Sequence, residues 1–369
     1  MRRENIKKIV TKGIVWLYAV CCVLESAGIT AGAAGVSDND AEIIAETAEA
    51  ITVSTNAAEL EVEEATDFSG ATKINVGSTV NGSITETVSA RVYQFSLASA
   101  GRLSIDMTSY MKYYTIQIFD ATGSEVWYTY EKEWNGNLKY RQDAYNIDLI
   151  AGSYYIKITA NYNFSWTSNA TGNYSFKTGF QSANETFAEP NNDFTTANSI
   201  YLGQIVNGQI AVNDSKDLYK FQLAFAGQLQ IDMTSYMRYY TIQIFDSTGS
   251  EVWYTYEKEW NKNLKYRQDA YNIDLIAGSY YIRVTANYNF SWTSNETGNY
   301  SFKTGFQSAN ETFAEPNNDF TTANRIYLGQ TINGQIACND SKDVYVYNLA
   351  ADTGVTLQVD SYMAYYTVE

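Results

Sequence analysis

The stretch of sequence that decides the fold is Ile105-Asp106-Met107-Thr108-Ser109-Tyr110-Met111, which returns unchanged at residues 231–237, 126 positions later. Nine positions differ between residues 105–210 and 231–336, and most of the differences are conservative. A third copy begins, because residues 357–363 match residues 229–237 with two positions missing. A repeat of this length exceeds a solenoid repeat and matches the size of a domain. The chain is therefore predicted to be a tandem array of one module.

Apolar and polar residues alternate along the module, as they do along strands that are buried on one face. Leu103, Ile105 and Met107 fall on one face of such a strand, and Ala100-Gly101 before it marks a turn. Further short runs rich in β-branched and aromatic residues follow, and the repeat contains no convincing amphipathic helix. The pattern predicts an all-β fold in which each module is an antiparallel sandwich of two sheets.

The period of the repeat places the boundaries. We expect a signal peptide at residues 1–34, an acidic disordered spacer at 35–66, module 1 at 67–180, module 2 at 189–306 and a truncated module 3 at 315–369, with 181–188 as the linker between modules 1 and 2. Half of a sandwich would expose apolar faces and unpaired strand edges. The sequence is therefore expected to be a fragment of a longer protein; completion of module 3 by strand exchange is the alternative.

The first residues have the pattern of an export signal. Five basic residues precede an apolar run at 14–24, and small residues follow at 31–34. The run is short for a bilayer span, which needs about 20 residues, although a retained anchor is the alternative. Removal of the leader changes the formal net charge from −16 to −19. This charge argues against nucleic-acid binding, and we expect a secreted or cell-surface protein with no membrane span after cleavage.

Catalysis is improbable within this sequence. The chain has no histidine, and Cys338, which takes the place of Val212, is the one cysteine outside the leader. A cysteine that replaces valine is predicted to be a small buried apolar residue, and no disulfide framework can form. The chain also lacks the Gly-x-Ser-x-Gly elbow of hydrolases.

An ordered series of motifs opens and runs through module 2. Residues 189–194 read Glu-Pro-Asn-Asn-Asp-Phe, residues 217–221 read Asp-Leu-Tyr-Lys-Phe, and residues 277–282 read Ala-Gly-Ser-Tyr-Tyr-Ile. This series resembles the bacterial pre-peptidase C-terminal domain family, of which the collagen-binding domains of clostridial collagenases are relatives. The resemblance implies a jelly-roll-like β-sandwich that accompanies secreted enzymes, commonly peptidases, and has no catalytic activity of its own.

The resemblance also implies a calcium site in modules 2 and 3. By position, its ligands would be Glu189, Asn191, Asp214 and Asp217 in module 2, and Glu315, Asn317, Asp340 and Asp343 in module 3. Two further acids of the family pattern are replaced by Phe187 and Ser215. From the residues alone, the Glu-Pro-Asn segment could equally be a simple turn before a strand, with Asp217 bonded to nearby backbone.

Module 1 departs from this pattern. Glu63 corresponds to Glu189, but Ala65, Val88 and Arg91 stand where module 2 has Asn191, Asp214 and Asp217. Because an arginine repels a cation, module 1 is expected to do without an ion.

The repeated aromatic residues are the other candidates for binding. Exposed Trp and Tyr can stack on sugar rings or hold an extended polypeptide, although core packing is the alternative use. The candidates in loops rich in Asn and Gly are Trp134, Trp166, Trp260 and Trp292. Together these features predict a secreted, non-catalytic binding array for an extracellular protein or polysaccharide. The alternative is the accessory substrate-binding region of a secreted peptidase or other hydrolase whose catalytic domain lies outside this sequence.

Overall fold

The computed structural model describes residues 68–111, 113–129, 140–160, 171–237, 239–255, 266–286 and 297–369. The predicted signal peptide and acidic spacer therefore lie outside the described residues. Every regular element in the described part is a strand, and none of its segments forms an apolar helix of membrane-spanning length. The prediction of an all-β sandwich fold is confirmed.

Module 1 contains nine strands in two sheets. They are β1 (Thr72–Lys73), β2 (Thr79–Ile84), β3 (Ala90–Leu97), β4 (Gly101–Ser109), β5 (Tyr114–Asp120), β6 (Glu125–Tyr128), β7 (Arg141–Leu149), β8 (Gly152–Ala160) and β9 (Gly172–Ser182). One sheet has the order β1-β3-β8-β5-β6 and the other β2-β9-β4-β7. All pairings are antiparallel except that of β1 with β3.

Module 2 repeats this topology. Its strands are β10 (Asn198–Ser199), β11 (Ile205–Ile210), β12 (Lys216–Leu223), β13 (Gly227–Ser235), β14 (Tyr240–Asp246), β15 (Glu251–Tyr254), β16 (Arg267–Leu275), β17 (Gly278–Ala286) and β18 (Gly298–Ser308). The sheets have the orders β10-β12-β17-β14-β15 and β11-β18-β13-β16. Because the two sequences are almost identical, the same contacts select the same fold twice.

Each complete module has its own core, formed between its two sheets. Along β4, buried and more exposed residues alternate strictly, so that Leu103, Ile105 and Met107 are at most 1% exposed. Alternation of this kind places every second side chain on the inner face. The alternation seen in the sequence therefore predicted the core face of this strand correctly.

Module 3 is represented by two short strands, β19 (Asn324–Arg325) and β20 (Tyr345–Val346), which pair in parallel. This pair repeats the pairing of β10 with β12. Residues 347–369 contain no strand and are largely exposed. The boundaries between the modules stay predictions, although β9 runs to Ser182, two residues into the predicted linker.

Modules 1 and 2 meet at an inter-module joint, which we define by Asp148, Ile150 and Tyr154 on one side and Val212 and Asn213 on the other. The Val212 N–H donates to Asp148 O at 3.0 Å, and Val212 packs against the core of module 1. Asn213 Oδ1 accepts from the Ile150 N–H at 3.3 Å, and its Nδ2 donates to the Tyr154 hydroxyl at 2.9 Å. One side chain thus connects two groups of the neighbouring module.

The same joint recurs between modules 2 and 3. The Cys338 N–H donates to Asp274 O at 2.9 Å, and Asn339 contacts Ile276 N at 3.3 Å and the Tyr280 hydroxyl at 2.8 Å. Cys338 is exposed, so the prediction of a buried residue was wrong. Its position is part of a joint rather than of a core, and sequence similarity to Val212 could not reveal that.

Asn213→Ala is expected to weaken the first joint by about 1–2 kcal/mol, because the Ile150 N–H and the Tyr154 hydroxyl lose a shared partner. The measurement is the distribution of distances between a spin label in module 1 and one in module 2, which should broaden. Asn339→Ala is the matched control, since it alters the second joint alone. An unchanged distribution in Asn213→Ala would contradict a role for this side chain.

Candidate metal centre

Two pieces of chain converge beside β12 in module 2. One is the segment that precedes β10 and carries Glu189 and Asn191; the other is the turn that precedes β12 and carries Asp214. The Leu218 N–H of β12 donates to Asn191 O at 2.9 Å, which attaches the segment to the sheet edge. Ala211 and Asp214 close the turn through reciprocal backbone hydrogen bonds of 2.9 and 3.2 Å. Asp217, within β12, therefore lies between the two.

The convergence brings three carboxyl groups together. One oxygen each from Glu189, Asp214 and Asp217 lies within 4.8 Å of the others. Asp214 is 3% and Asp217 0% exposed, and Asn191 beside them is 2% exposed. All four module 2 residues that the sequence suggested as ligands thus meet at one place.

Among the described residues, several buried oxygens of this cluster lack a hydrogen-bond partner of good geometry: Asn191 Oδ1, Asn192 Oδ1, both carboxylate oxygens of Asp214, and Asp217 Oδ1. The Lys216 N–H and the Asn192 side chain are near enough to Asp214 to lower its pKa, but burial outweighs them. The other oxygen of Asp217 accepts a short hydrogen bond from the Tyr300 hydroxyl, which in turn lies 2.6 Å from the Tyr219 hydroxyl. A buried acceptor without a donor costs about 1–3 kcal/mol, so this set of oxygens requires an explanation.

The ionised form of the cluster is unfavourable. Burial and the negative charge of Asp214 raise the pKa of Glu185 and that of Glu189 to about 7. Burial also raises the pKa of Asp214, and burial together with the charge of Asp214 holds the pKa of Asp217 well above its usual range. A positive ion among these groups would remove both causes at once, because it neutralises the charge and fills the oxygen lone pairs.

Sequence reasoning missed Glu185. Its carboxylate accepts a hydrogen bond from the Gln209 N–H at 3.1 Å, and its charge acts on both Glu189 and Asp217. Glu185 thus supplies an acid ahead of the Glu-Pro-Asn segment, two residues before Phe187. The available signal was the recurrence of a glutamate four residues before Glu189 and again before Glu315, at Glu311.

Module 3 repeats the arrangement in a more open form. Oxygens of Glu315, Asp340 and Asp343 lie within 4.8 Å of one another, and Asn317 and Asp340 are 2% and 3% exposed. Within the described part of the chain, Asn317 Oδ1, both carboxylate oxygens of Asp340 and Asp343 Oδ1 are again buried without a hydrogen-bond partner, whereas Asp343 Oδ2 accepts from the Tyr345 hydroxyl at 3.2 Å. Burial raises the pKa of Glu315 to about 7. Asp343 is only partly buried.

The donor set fits a hard cation. Carboxylate and amide oxygens suit Ca²⁺ and Mg²⁺, whereas Zn²⁺ and copper favour nitrogen and sulfur. In module 2, Glu189, Asp214 and Asp217 offer three carboxylates within 4.8 Å of one another, Asn191 lies beside them, and Glu185 is near enough for its charge to act on Glu189 and Asp217. In module 1, Arg91 and Val88 occupy the positions of Asp217 and Asp214, so this donor set is absent from its described residues.

The tryptophans suggested for binding, Trp134, Trp166, Trp260 and Trp292, lie outside the described residues. The structure instead shows a pair of exposed tyrosines in each module. Tyr110 and Tyr140 are 56% and 45% exposed, and their ring centroids lie 5.8 Å apart. Tyr236 and Tyr266 repeat the pair at the same distance. Tyr110 was not singled out by the sequence, because it follows a strand that otherwise belongs to the core.

No protein-family model matches the chain, and no curated protein sequence matches it significantly. Among solved structures, the chain is similar to the pre-peptidase C-terminal domain of a collagenase from Bacillus anthracis, with 24% identity over 29% of this chain and 93% of that one and a TM-score of 0.23. It is also similar to the CUB1-EGF-CUB2 domain of human MASP-1/3, with 8% identity over 62% and 99% of the chains and a TM-score of 0.19. A third similar structure is that of a putative secreted protein from Eubacterium rectale. The identity is 11%, the match covers 61% of this chain and 72% of that one, and the TM-score is 0.20. Similarities this low identify no function.

In excess chelator, Asp217→Asn is expected to leave module 2 at least as stable as the wild type. The amide retains an acceptor for the Tyr300 hydroxyl, and the variant removes a buried acid whose ionised form is unfavourable without a cation. The measurement is chemical denaturation in chelator, with the exposed Asp232→Asn as control. If the only role of the Asp217 carboxylate were to accept hydrogen bonds, the free energy of unfolding of the variant would instead fall by about 1–3 kcal/mol.

Proposed function

We propose that this chain is the non-catalytic, calcium-stabilised binding array of an exported protein, and that its repeated modules attach to an extracellular polymer, either protein or glycan. The observation that carries the proposal is the pairing, in one small module, of a buried oxygen cluster without partners and an exposed pair of tyrosines. The oxygens of the cluster can bind an ion that stabilises the fold, and the exposed tyrosine rings can contact a polymer.

Calcium is the ion that the cluster suits best. It accepts six to eight oxygen ligands in flexible geometry, whereas Mg²⁺ requires a near-ideal octahedron and retains several waters. Glu185, Glu189, Asn191, Asp214 and Asp217 would hold it in module 2. Bound there, the ion supplies positive charge, and the residues that surround it tie the segment before β10 to the edge of the sheet. This role is structural rather than catalytic.

The counterpart in module 3 would use Glu311, Glu315, Asn317, Asp340 and Asp343. Oxygens of Glu315, Asp340 and Asp343 lie within 4.8 Å of one another there.

The tyrosine pairs are suited to polymers with repeating chemistry. Each ring combines an apolar face with a hydroxyl tip, which allows stacking on a sugar ring or on an extended peptide together with a hydrogen bond. Each pair adjoins, in sequence, the segment that contains the candidate tryptophan Trp134 or Trp260. A polymer presents the same group many times, so that two pairs on one chain can bind it together.

Repetition strengthens attachment through effective concentration. Once one module is bound, the second binds as an intramolecular partner, and overall affinity can rise by roughly 10²–10⁴ without a new contact. The joint between the modules favours this result, because its contacts through Val212 and Asn213 keep the two modules close to each other. The export signal predicted at residues 1–34 would deliver such an array to the cell surface or the medium.

Two calcium ions per chain are expected by isothermal titration of residues 35–369. Binding at about 100 times the dissociation constant stabilises the folded state by about 2.7 kcal/mol, which raises the melting temperature of a domain of this size by roughly 10 °C. Asp217→Ala should remove one site and leave the other. A melting curve that is unchanged by calcium and by chelator would contradict the calcium proposal.

Replacing the four tyrosines together, Tyr110→Ala, Tyr140→Ala, Tyr236→Ala and Tyr266→Ala, is expected to abolish retention on the polymer that the wild type binds. Sedimentation with insoluble collagen, chitin, cellulose and peptidoglycan is the measurement. Replacing one pair should weaken binding at least tenfold, because avidity is lost.

Tyr201→Ala is the matched control, since Tyr201 is 71% exposed but belongs to neither pair. If the fourfold variant sedimented with the polymer as fully as the wild type does, the tyrosines would not be the binding residues. Binding of the wild type to none of these polymers, nor to a glycan or peptide array, would overturn the attachment function itself.

A further inference from the structure

Module 1 has an open cleft that both of its sheets line. Strand β3 contributes from one sheet, and β2, β9 and β4 contribute from the other. The volume of the cleft is about 1050 Å³, which is large for a ligand site, since most measure about 300–1,000 Å³. The chain has a formal net charge of −16, yet among the described residues the one charged side chain in the cleft wall is the exposed cation Arg91. The cleft is therefore suited to an anionic group.

Two tyrosines of the core reach this cleft with their hydroxyl groups. Tyr93 and Tyr174 are 6% and 2% exposed, and their hydroxyl oxygens lie 2.6 Å apart. Gly82 allows this approach, because a Cβ at that position would lie 2.4 Å from the Tyr174 hydroxyl and 2.7 Å from that of Tyr93. One hydroxyl donates to the other, so the second retains a proton, and the described residues supply no acceptor for it. The pair thus offers a hydrogen-bond donor to a ligand in the cleft.

Module 2 shows which acceptor suits this donor. Its tyrosines, Tyr219 and Tyr300, have the same separation of 2.6 Å between hydroxyl oxygens, and the Tyr300 hydroxyl donates to the Asp217 carboxylate. The offset of 126 places Arg91 at the position of Asp217. Module 1 therefore keeps the hydroxyl donor, lacks the carboxylate and gains a guanidinium. A carboxylate from outside the chain could accept from both groups.

Arg91 lies close to the hydroxyl pair. Its Nε donates to Ser83 O at 3.3 Å, and nothing in the described part of the chain pairs with its two terminal nitrogens. Burial raises the pKa of Tyr174, and the charge of Arg91 acts on the same hydroxyl in the opposite direction, so the two groups are near each other. The planar fork of a guanidinium suits the two oxygens of a carboxylate.

The rest of the wall is suited to a sugar. Asn81, Ser175 and Thr108 stand opposite one another across β2, β9 and β4, so their side chains lie on one face of the sheet. Tyr110, which belongs to the exposed tyrosine pair of module 1, is also part of the wall. Amide and hydroxyl groups can bond sugar hydroxyls, and the aromatic face can stack on a sugar ring. Few aliphatic side chains are present to receive those of a peptide.

We propose that the cleft of module 1 binds a carboxylate-bearing sugar residue of an extracellular glycan, and that the carboxylate lies between the Arg91 guanidinium and the Tyr93–Tyr174 hydroxyl pair. This inference rests on the proposed function, because it specifies the polymer as an acidic glycan that contains uronate residues. In module 2 the Asp217 carboxylate occupies the equivalent position and repels a second carboxylate. Of the two complete modules, module 1 therefore selects the acidic residue.

The measurement is isothermal titration of residues 35–369 with soluble oligomers of galacturonate, glucuronate and mannuronate, in excess chelator so that calcium cannot bridge ligand and protein. The wild type is expected to bind at least one of these acids, and to bind its methyl ester at least roughly tenfold more weakly, because the ester keeps the ring but loses the charge. Arg91→Gln should weaken binding of the acid by a similar factor, whereas Arg91→Lys, which keeps the charge, should weaken it less.

Lys177→Gln is the matched control, because it neutralises an exposed cation on β9 that is not part of the cleft wall; its affinity should equal that of the wild type. Equal affinity for acid and ester, or unchanged affinity in Arg91→Gln, would overturn the proposal. Binding of polyglutamate through Arg91, with no uronate bound, would overturn the assignment to a glycan. Tyrosine-dependent retention on a neutral polymer, with no uronate bound, would overturn this inference alone, whereas binding to no polymer would overturn the attachment function as well.

Discussion

A cluster of acidic side chains in module 2 is the constraint on which its local structure depends. Asp214 and Asp217 are buried, and the partly buried Glu185 and Glu189 lie on the segment that precedes β10 and act on them through their charges. Burial and mutual charge raise their pKa values, and several of their oxygens have no donor. Such a set is destabilising by itself. It is compatible with a stable sandwich when positive charge enters the same space.

The repeats differ in the residues that occupy this place. Modules 2 and 3 keep the acids, and the surrounding oxygens suit a hard cation. Module 1 replaces two of the acids by Val88 and Arg91 and so carries positive charge within its own sequence. The same backbone scaffold accommodates both, because the hydroxyl pair Tyr93–Tyr174 at 2.6 Å matches the pair Tyr219–Tyr300. At this place Ser83, Val88, Arg91 and Val92 stand where module 2 has Gln209, Asp214, Asp217 and Leu218.

The joints connect this local chemistry to the array. Asp148 is 2% exposed and accepts from Arg102 at 2.8 Å, from Gln209 at 3.2 Å and from Thr297 at 2.7 Å. The equivalent residue of the second joint, Asp274, accepts from the neutral Gln228 at 3.2 Å instead of an arginine. The first joint is therefore the more strongly bonded of the two. Asn213 and Asp214 are adjacent, so one short turn serves both the joint and the oxygen cluster.

The sequence by itself determined the repeat, the all-β class and the inward faces of strands such as β4, because these follow from periodicity and from local spacing. It also indicated Glu189, Asn191, Asp214 and Asp217 as residues of one site, through resemblance. Only the tertiary structure decided that Glu185 belongs with them, that Cys338 lies at a joint, and that Tyr110 pairs with Tyr140. Each of these depends on contacts between residues about 24 to 64 positions apart in the sequence. The order of side chains along the chain does not by itself specify which distant strands and turns will come into contact.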